Sequence, residues 1–385
     1  MIYLHIPYCH RKCTYCAFYS TPRRGTEGAY VEALCKEMAM RREEAGGVRP
    51  KTLYVGGGTP SILSLEELTR IATALKEHYD LGGIEEATIE CNPEDLTDSY
   101  LEGLTKIGLF NRLSIGLEAL DDGRLRRMNR RHNAQEGVAA LERAREHGFQ
   151  NISIDLIYNL PGMDGEEWGK TLEEVGRLIE YYDHLSCYAL TVEEGTMLER
   201  QIATGREQMP DEEQAAEQYE QLCQWCGTVG LEQYEISNFG KPGKHSQHNS
   251  GYWDGTPYIG LGAGAHSYDG KRRRWNVADA AQYIASVAQG DIEHGEERLT
   301  AADRLNEYLM TALRTTKGVE RHRLSALAER VDATGGEESR IATGMAEYER
   351  QGWLRYDGTC YRPTRQGLLR ADGMAAALFA TTEKE

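Results

Sequence analysis

Short strand-forming runs recur through the first half of the chain, at Ile2–Ile6, Thr52–Val55, Ala87–Cys91, Arg112–Gly116, Ile152–Ile157 and Leu185–Leu190, and a segment long enough for a helix follows each. Six strand-and-crossover units predict an α/β fold built on a parallel sheet, either open or closed into a partial barrel. Local signals mark the helices. Ser64-Leu65-Glu66-Glu67 has capping-box spacing ahead of Leu68, and Gly148 closes a predicted helix Ala134–His147. At 385 residues the chain has room for a barrel and a smaller appendage.

Ligands of a parallel α/β sheet sit on the loops at the carboxyl ends of its strands. The loops that follow these six strands hold the chemically informative residues. Cys9, Cys13 and Cys16 follow the first strand, Gly56-Gly57-Gly58-Thr59-Pro60 the second, Asn92-Pro93 the third, Glu118 the fourth, Tyr158 to Gly162 the fifth and Thr191 to Thr196 the sixth. Three soft thiolates spaced CxxxCxxC can hold three irons of a four-iron, four-sulfur cluster and leave the fourth iron open. A closed structural zinc site needs four ligands, and no second cysteine pair of matching spacing follows on a loop. The glycine run lacks the Lys-Ser/Thr ending of a P-loop and the GxGxxG spacing of a dinucleotide fold. By itself it reads as a tight strand-to-helix turn or a cradle for a ligand.

Forty-four Lys and Arg against 61 Asp and Glu leave a formal charge of −17, which disfavours nucleic acid and anionic membrane surfaces as partners. No apolar run approaches the length of a membrane span and the start has no signal-peptide pattern, so the expected location is cytoplasmic. Nine cysteines in a long chain of this kind do not predict a disulfide scaffold. Cys35, Cys91, Cys187 and Cys360 read as small buried hydrophobes, and Cys223 and Cys226 as packing residues of a helix over Glu212–Thr228. The sequence changes character after about Pro210, and a Gly- and His-rich segment runs from Gly240 to Tyr268. Beyond Leu299, helices precede a run that alternates around Asp357-Gly358, which predicts a hairpin and a small winged-helix-like domain.

The stretch Tyr3-Leu4-His5-Ile6-Pro7-Tyr8-Cys9-His10-Arg11-Lys12-Cys13-Thr14-Tyr15-Cys16 resembles the cluster loop of radical S-adenosylmethionine (SAM) enzymes. More narrowly, it resembles the branch that holds oxygen-independent coproporphyrinogen dehydrogenase and the HemW-type haem chaperones. The resemblance implies a partial (β/α)6 barrel over residues 1–235, a connecting region over 236–298 and a C-terminal domain over 299–380. In that superfamily the methionine part of SAM chelates the open iron, and an electron from the cluster cleaves SAM to a 5′-deoxyadenosyl radical. Carried over by motif, Cys9, Cys13 and Cys16 would ligate a [4Fe-4S] cluster. Gly57, Gly58, Thr59, Glu90, Arg130, Asp155 and Ala189, with Tyr3 and Tyr15 flanking the cluster loop, would contact SAM. Glu118 joins them at a position where the family usually has Gln, so an amide donor is replaced by a charge.

His248-Asn249-Ser250-Gly251-Tyr252-Trp253 matches the HNxxYW pattern of the chaperone branch, in which the histidine is implicated in holding haem. Imidazole is a common axial ligand of haem iron. Lys271-Arg272-Arg273-Arg274 reads as a solvated charge run rather than a propionate site. The dehydrogenase carries a further cysteine two positions after the third, where this chain has Phe18, and a longer segment ahead of its loop. Both departures favour a chaperone that delivers haem to respiratory enzymes, with an electron donor such as a ferredoxin or flavodoxin. The alternatives are radical oxidative decarboxylation of coproporphyrinogen III and a non-catalytic iron–sulfur protein that binds no SAM.

Overall fold

The computed structural model describes residues 1–22, 25–45, 49–209 and 211–380. Pro210, where the sequence changes character, lies outside the described residues. The six expected strands are β1 (Ile2–Ile6), β2 (Thr52–Gly57), β3 (Glu86–Cys91), β4 (Arg112–Glu118), β5 (Ile152–Tyr158) and β6 (His184–Ala189). They pair in sequence order and all in parallel. Three short strands complete the sheet: β7 (Glu232–Gln233), β8 (Asn238–Gly240) and β9 (Ile259–Leu261). β8 and β7 add antiparallel beyond β6, and β9 lies parallel to β1 at the other edge, giving the order β7-β8-β6-β5-β4-β3-β2-β1-β9.

Strands of a parallel sheet covered on both faces read as nearly continuous apolar runs. These strands alternate instead. Leu4, Val55, Ile89, Ile115, Ile154 and Leu185 belong to one buried apolar core, while their neighbours Tyr3, Tyr54, Glu90, Ser114, Asp155 and Ser186 line a cavity of about 800 Å³. Period-two alternation therefore sends apolar side chains outward against the crossover helices and polar ones inward.

Sequence signals at the helix ends hold up. Ser64 and Glu67 form the capping box of helix Leu65–His78, and helix Ala134–Glu146 ends one residue short of the expectation, with Gly148 at φ +91° beyond it. Cys223 and Cys226 are buried on helix Glu212–Thr228; Cys91, Cys187 and Cys360 are buried and Cys35 half-buried.

Residues 236–298, expected as a connecting region, contribute strands to the sheet and side chains to its core. Phe239, Ile259, Leu261, Tyr283 and Val287 share one apolar cluster with β1–β6. A second sheet, β10 (His266–Tyr268), β11 (Arg272–Asn276) and β12 (His294–Arg298), follows. One buried carboxylate ties this stretch to helix Glu27–Met40. Glu37 accepts from Arg41 Nη1 at 2.9 Å, Asn276 Nδ2 at 2.7 Å, the Gly262 amide at 2.7 Å and Tyr283 OH at 2.6 Å. The basic run stands at and on β11, with Lys271 and Arg272 exposed as a solvated run should be, Arg272 on Asp269 at 3.0 Å and Arg273 on Glu307 at 2.8 Å.

A separate apolar cluster runs from Ala302 to Ala380. Helices Ala301–Leu313, Arg321–Val331 and Gly336–Arg350 precede the hairpin of β14 (Leu354–Tyr356) and β15 (Cys360–Pro363), with β13 (Val319–Glu320) on its flank. The hairpin turns at Asp357-Gly358 as expected, and Asp357 Oδ1 accepts from the amides of Thr359 and Cys360. Among the described residues no helix is long and apolar enough to cross a membrane.

Removing one member of a buried, fully bonded ion pair leaves its partners uncompensated at a cost of about 3–5 kcal/mol. Glu37→Ala should lose stability on that scale in a denaturant titration, while Glu37→Gln, which keeps an acceptor, should lose less.

Candidate functional site

The loop after β1 turns back on itself. The Cys9 amide donates to Thr21 O at 3.1 Å and the Thr21 amide to Pro7 O at 2.7 Å. Neighbouring loops pin its far end: Asn129 Nδ2 donates to Lys12 O at 2.8 Å, the Thr14 amide to Met128 O at 3.2 Å and the Leu198 amide to Thr14 O at 2.8 Å. Asn129 adopts φ +62°, a conformation that asparagine tolerates better than most residues. Cys9, Cys13 and Cys16 all face the cavity mouth. Donors reach two of the sulfurs, Thr59 Oγ1 to Cys9 at 3.5 Å and Arg130 Nη1 to Cys13 at 3.7 Å. Burial pushes the Cys16 thiol up to about 11 and raises that of Cys9.

Among the described residues no three His, Cys, Asp or Glu side chains converge on a point that could hold one metal ion. A cluster places each thiolate on its own iron, so its cysteines stand further apart than ligands of a single ion. Three cysteines on one loop, with hydrogen-bond donors at two sulfurs, suit such a cluster.

The glycine loop lies flush against this turn. Gly57 has φ +115°, and a Cβ there would meet the His5 ring at 2.6 Å; one at Gly58 would meet Tyr8 O at 2.7 Å. Only glycine permits that approach. The Gly57 amide donates to Glu90 Oε2 at 3.0 Å and Tyr54 OH to Glu90 Oε1 at 2.7 Å. Burial nevertheless holds the Glu90 carboxyl up at about 7, with Asp155 adding repulsion.

Arg130 crosses the mouth. Its Nη2 donates to Gly116 O at 2.6 Å and Asn92 Oδ1 at 3.0 Å, its Nη1 stands 3.5 Å from Glu118 Oε1, and its Nε is buried with no hydrogen-bond partner. Glu118 sits at a β-bulge against β5 with φ +63°, a costly conformation for glutamate that aims its carboxylate at Arg130. Burial raises it to about 7 despite that arginine. Asp155, raised by burial as well, accepts from Ser114 Oγ at 3.3 Å. Tyr3, stacked on Tyr54, bonds His5 Nδ1 at 3.0 Å, and Tyr15 and Ala189 complete the lining. All the expected SAM-contacting residues thus face one cavity.

His248 does not sit in a solvated loop. It lies instead on helix Gln247–Asp254, 1% exposed, at the inner end of the same cavity. Its Nδ1 is 2.8 Å from Thr52 Oγ1, its Nε2 is 3.1 Å from Tyr252 OH, and its ring stacks on Tyr54. Burial pushes its pKa down to about 3, so the ring is neutral. The helix is fixed at its start by Glu86, whose carboxylate accepts from the amides of Gln247 and His248 at 2.9 Å. The arginine run of β11 does not reach the cavity lining.

Sequence reasoning passed over Arg112, Ser114, His184, Ser186 and Tyr188, which also line the cavity. Their signal was the polar–apolar alternation within each strand, which distinguishes a polar-lined barrel from a doubly covered sheet.

Comparisons with known proteins agree with this geometry. The family model described as the radical SAM superfamily matches residues 3–175, and that of the HemN C-terminal domain matches residues 299–370. The heme chaperone HemW of Bacillus subtilis (strain 168) is 36% identical over 330 residues, which cover 84% of this chain and 85% of the relative. The protein of the same name from Mycobacterium tuberculosis (strain ATCC 25618 / H37Rv) is 32% identical over 383 residues, 98% of this chain and 94% of the relative. Coproporphyrinogen III oxidase (HemN) from Escherichia coli superposes with a TM-score of 0.83 at 24% identity, covering 98% of this chain and 89% of that one, which establishes a common fold. By these matches, and with an α/β barrel whose mouth gathers the cysteine and glycine loops, the chain belongs to the radical SAM superfamily and, within it, to the family of proteins named heme chaperone HemW.

Proposed function

We propose that this protein is a haem chaperone that carries a [4Fe-4S] cluster on Cys9, Cys13 and Cys16, binds SAM beside it, and hands haem to respiratory enzymes. The observation that carries the reading is similarity along nearly the whole chain to relatives named heme chaperone HemW. Phe18 adds support. It occupies the position of the dehydrogenase's extra cysteine and is 73% exposed on the cavity rim, where a thiol is replaced by an apolar ring. Bound at the open iron, SAM would supply radical chemistry on receipt of one electron from a donor such as a ferredoxin or flavodoxin.

The chain's own residues divide the work. Glu90, with Asp155, offers carboxylates for the ammonium and ribose hydroxyls of SAM, and Arg130 a guanidinium for its carboxylate. Gly57, Gly58 and Thr59 let the ligand close on the backbone, and Tyr3, Tyr15, Glu118 and Ala189 line the remaining contact surface. For haem, His248 offers a neutral imidazole whose Nδ1 is oriented by Thr52, so that only the Tyr252 hydroxyl need leave Nε2.

Anaerobic reconstitution should load Cys13→Ser with far less iron and sulfide than wild type, while Cys35→Ser loads fully; the paramagnetic resonance signal of the wild-type cluster should change when SAM is added. SAM affinity should fall about tenfold between pH 8 and pH 6 in anaerobic equilibrium dialysis, because Glu90 is charged above its pKa of about 7 and neutral below it. Glu90→Gln should bind SAM weakly with a flatter profile. Haem should bind the reconstituted protein, and His248→Ala should weaken it by about tenfold or more. Conversion of coproporphyrinogen III to protoporphyrinogen IX by wild type with SAM and reductant would replace the chaperone reading with the oxidase.

A further inference from the structure

Arg112 opens β4 at the inner end of the cavity and is 2% exposed. A buried guanidinium is expensive unless paired and hydrogen-bonded. This one is poorly supplied. Its Nη1 donates to Thr88 Oγ1 at 3.4 Å, a long bond, and its Nε is buried with no hydrogen-bond partner. Among the described residues no carboxylate makes an ion pair with it. Glu90 is engaged with Tyr54 and the Gly57 amide and Glu118 with Arg130; Asp155, whose charge does feel Arg112, is hydrogen-bonded to Ser114 and makes no ion pair with it.

The neighbours that could otherwise solvate the charge are also committed. His184 is held on both nitrogens, by Ser153 Oγ at 2.7 Å and Tyr234 OH at 2.8 Å, and His248 by Thr52 and Tyr252. A cation whose histidine neighbours are neutral and satisfied, which feels the Asp155 carboxylate without making an ion pair with it, and which lines an open volume, matches a carboxylate bound through parallel N–H bonds.

We propose that Arg112 receives a carboxylate of the ligand that enters the inner end of the cavity. This assignment rests on the haem-chaperone reading, on which the carboxylate is a haem propionate. Arg130 and the cysteine loop lie at the opposite, outer end of β4, so the two arginines serve two carboxylates: Arg130 that of SAM at the mouth, Arg112 that of haem in the interior.

The test uses the full chain with its cluster reconstituted and compares haem with haem dimethyl ester by absorption titration. Wild type should bind free haem about ten- to a hundredfold more tightly than the ester, in keeping with loss of a charge-assisted hydrogen-bonded pair. Arg112→Gln should bind haem as weakly as the ester and no longer distinguish them; Arg112→Lys should recover part of the preference. A SAM-dependent change in the cluster's resonance signal, retained in either variant, reports that the barrel is intact. Full preference for the free acid in the variants, or none in wild type, would overturn the assignment and leave the chaperone reading standing. Loss of SAM binding in Arg112→Gln with haem preference unchanged would overturn it in favour of the SAM carboxylate. Wild type that binds no haem at all would remove the chaperone reading and this assignment with it.

Discussion

A parallel sheet with a polar concave face must find a partner for nearly every group it buries, and this requirement organises the molecule. Within the barrel Thr52 is matched by His248, Ser153 by His184 and then Tyr234, Glu90 by Tyr54 and the Gly57 amide, and Asp155 by Ser114. Several partners come from residues 234–252, far along the chain. That is why the stretch after β6 packs into the core: without it His184 Nε2 and the Thr52 hydroxyl would be unmet, and a buried unsatisfied polar group costs about 1–3 kcal/mol. The arginine that remains poorly matched is therefore conspicuous.

Charge is distributed along the cavity in the same spirit. At the mouth Arg130 bridges Gly116 O, Asn92 and Glu118 and also touches the Cys13 sulfur, linking the cysteine loop to two strand ends. Glu90 and Glu118 both stand near 7, raised chiefly by burial and further by Asp155. A site that keeps carboxylates only partly ionised at neutral pH is one whose charge balance a cationic ligand completes. Glu118 shows the cost of this arrangement in its backbone, since its positive φ is compatible with the sheet only because a bulge separates it from Gly116 in the pairing with β5.

Much of the molecule was legible from residue order. The six strands begin within two residues of expectation, the Ser64 capping box and the Asp357-Gly358 turn form as read, and the cysteine and glycine loops meet at one mouth. These are local features, set by hydrogen-bonding side chains and turn residues a few positions apart. The helical setting of His248 was not legible because its eight-residue helix has little amphipathic pattern of its own; its start is held by Glu86 of β3. The basic run at β11 is solvent-facing at Lys271 and Arg272 as read, while Arg273 and Arg274 also reach Glu307 and Glu44, partners distant in sequence.

The sequence by itself determined the alternation of strands and crossovers, the end of the sheet where ligands gather and the three thiols that face them, because right-handed parallel units permit one placement for such loops. It also carried, in each strand's alternation, the polarity of the interior. Only the tertiary structure decided how that interior closes: β9 and β8 return to opposite edges of the sheet, His248 enters the barrel, and Arg112 is enclosed with, among the described residues, no carboxylate at ion-pair distance. Those outcomes depend on which distant groups satisfy one another once water is excluded, a competition among long-range pairings that no local pattern encodes.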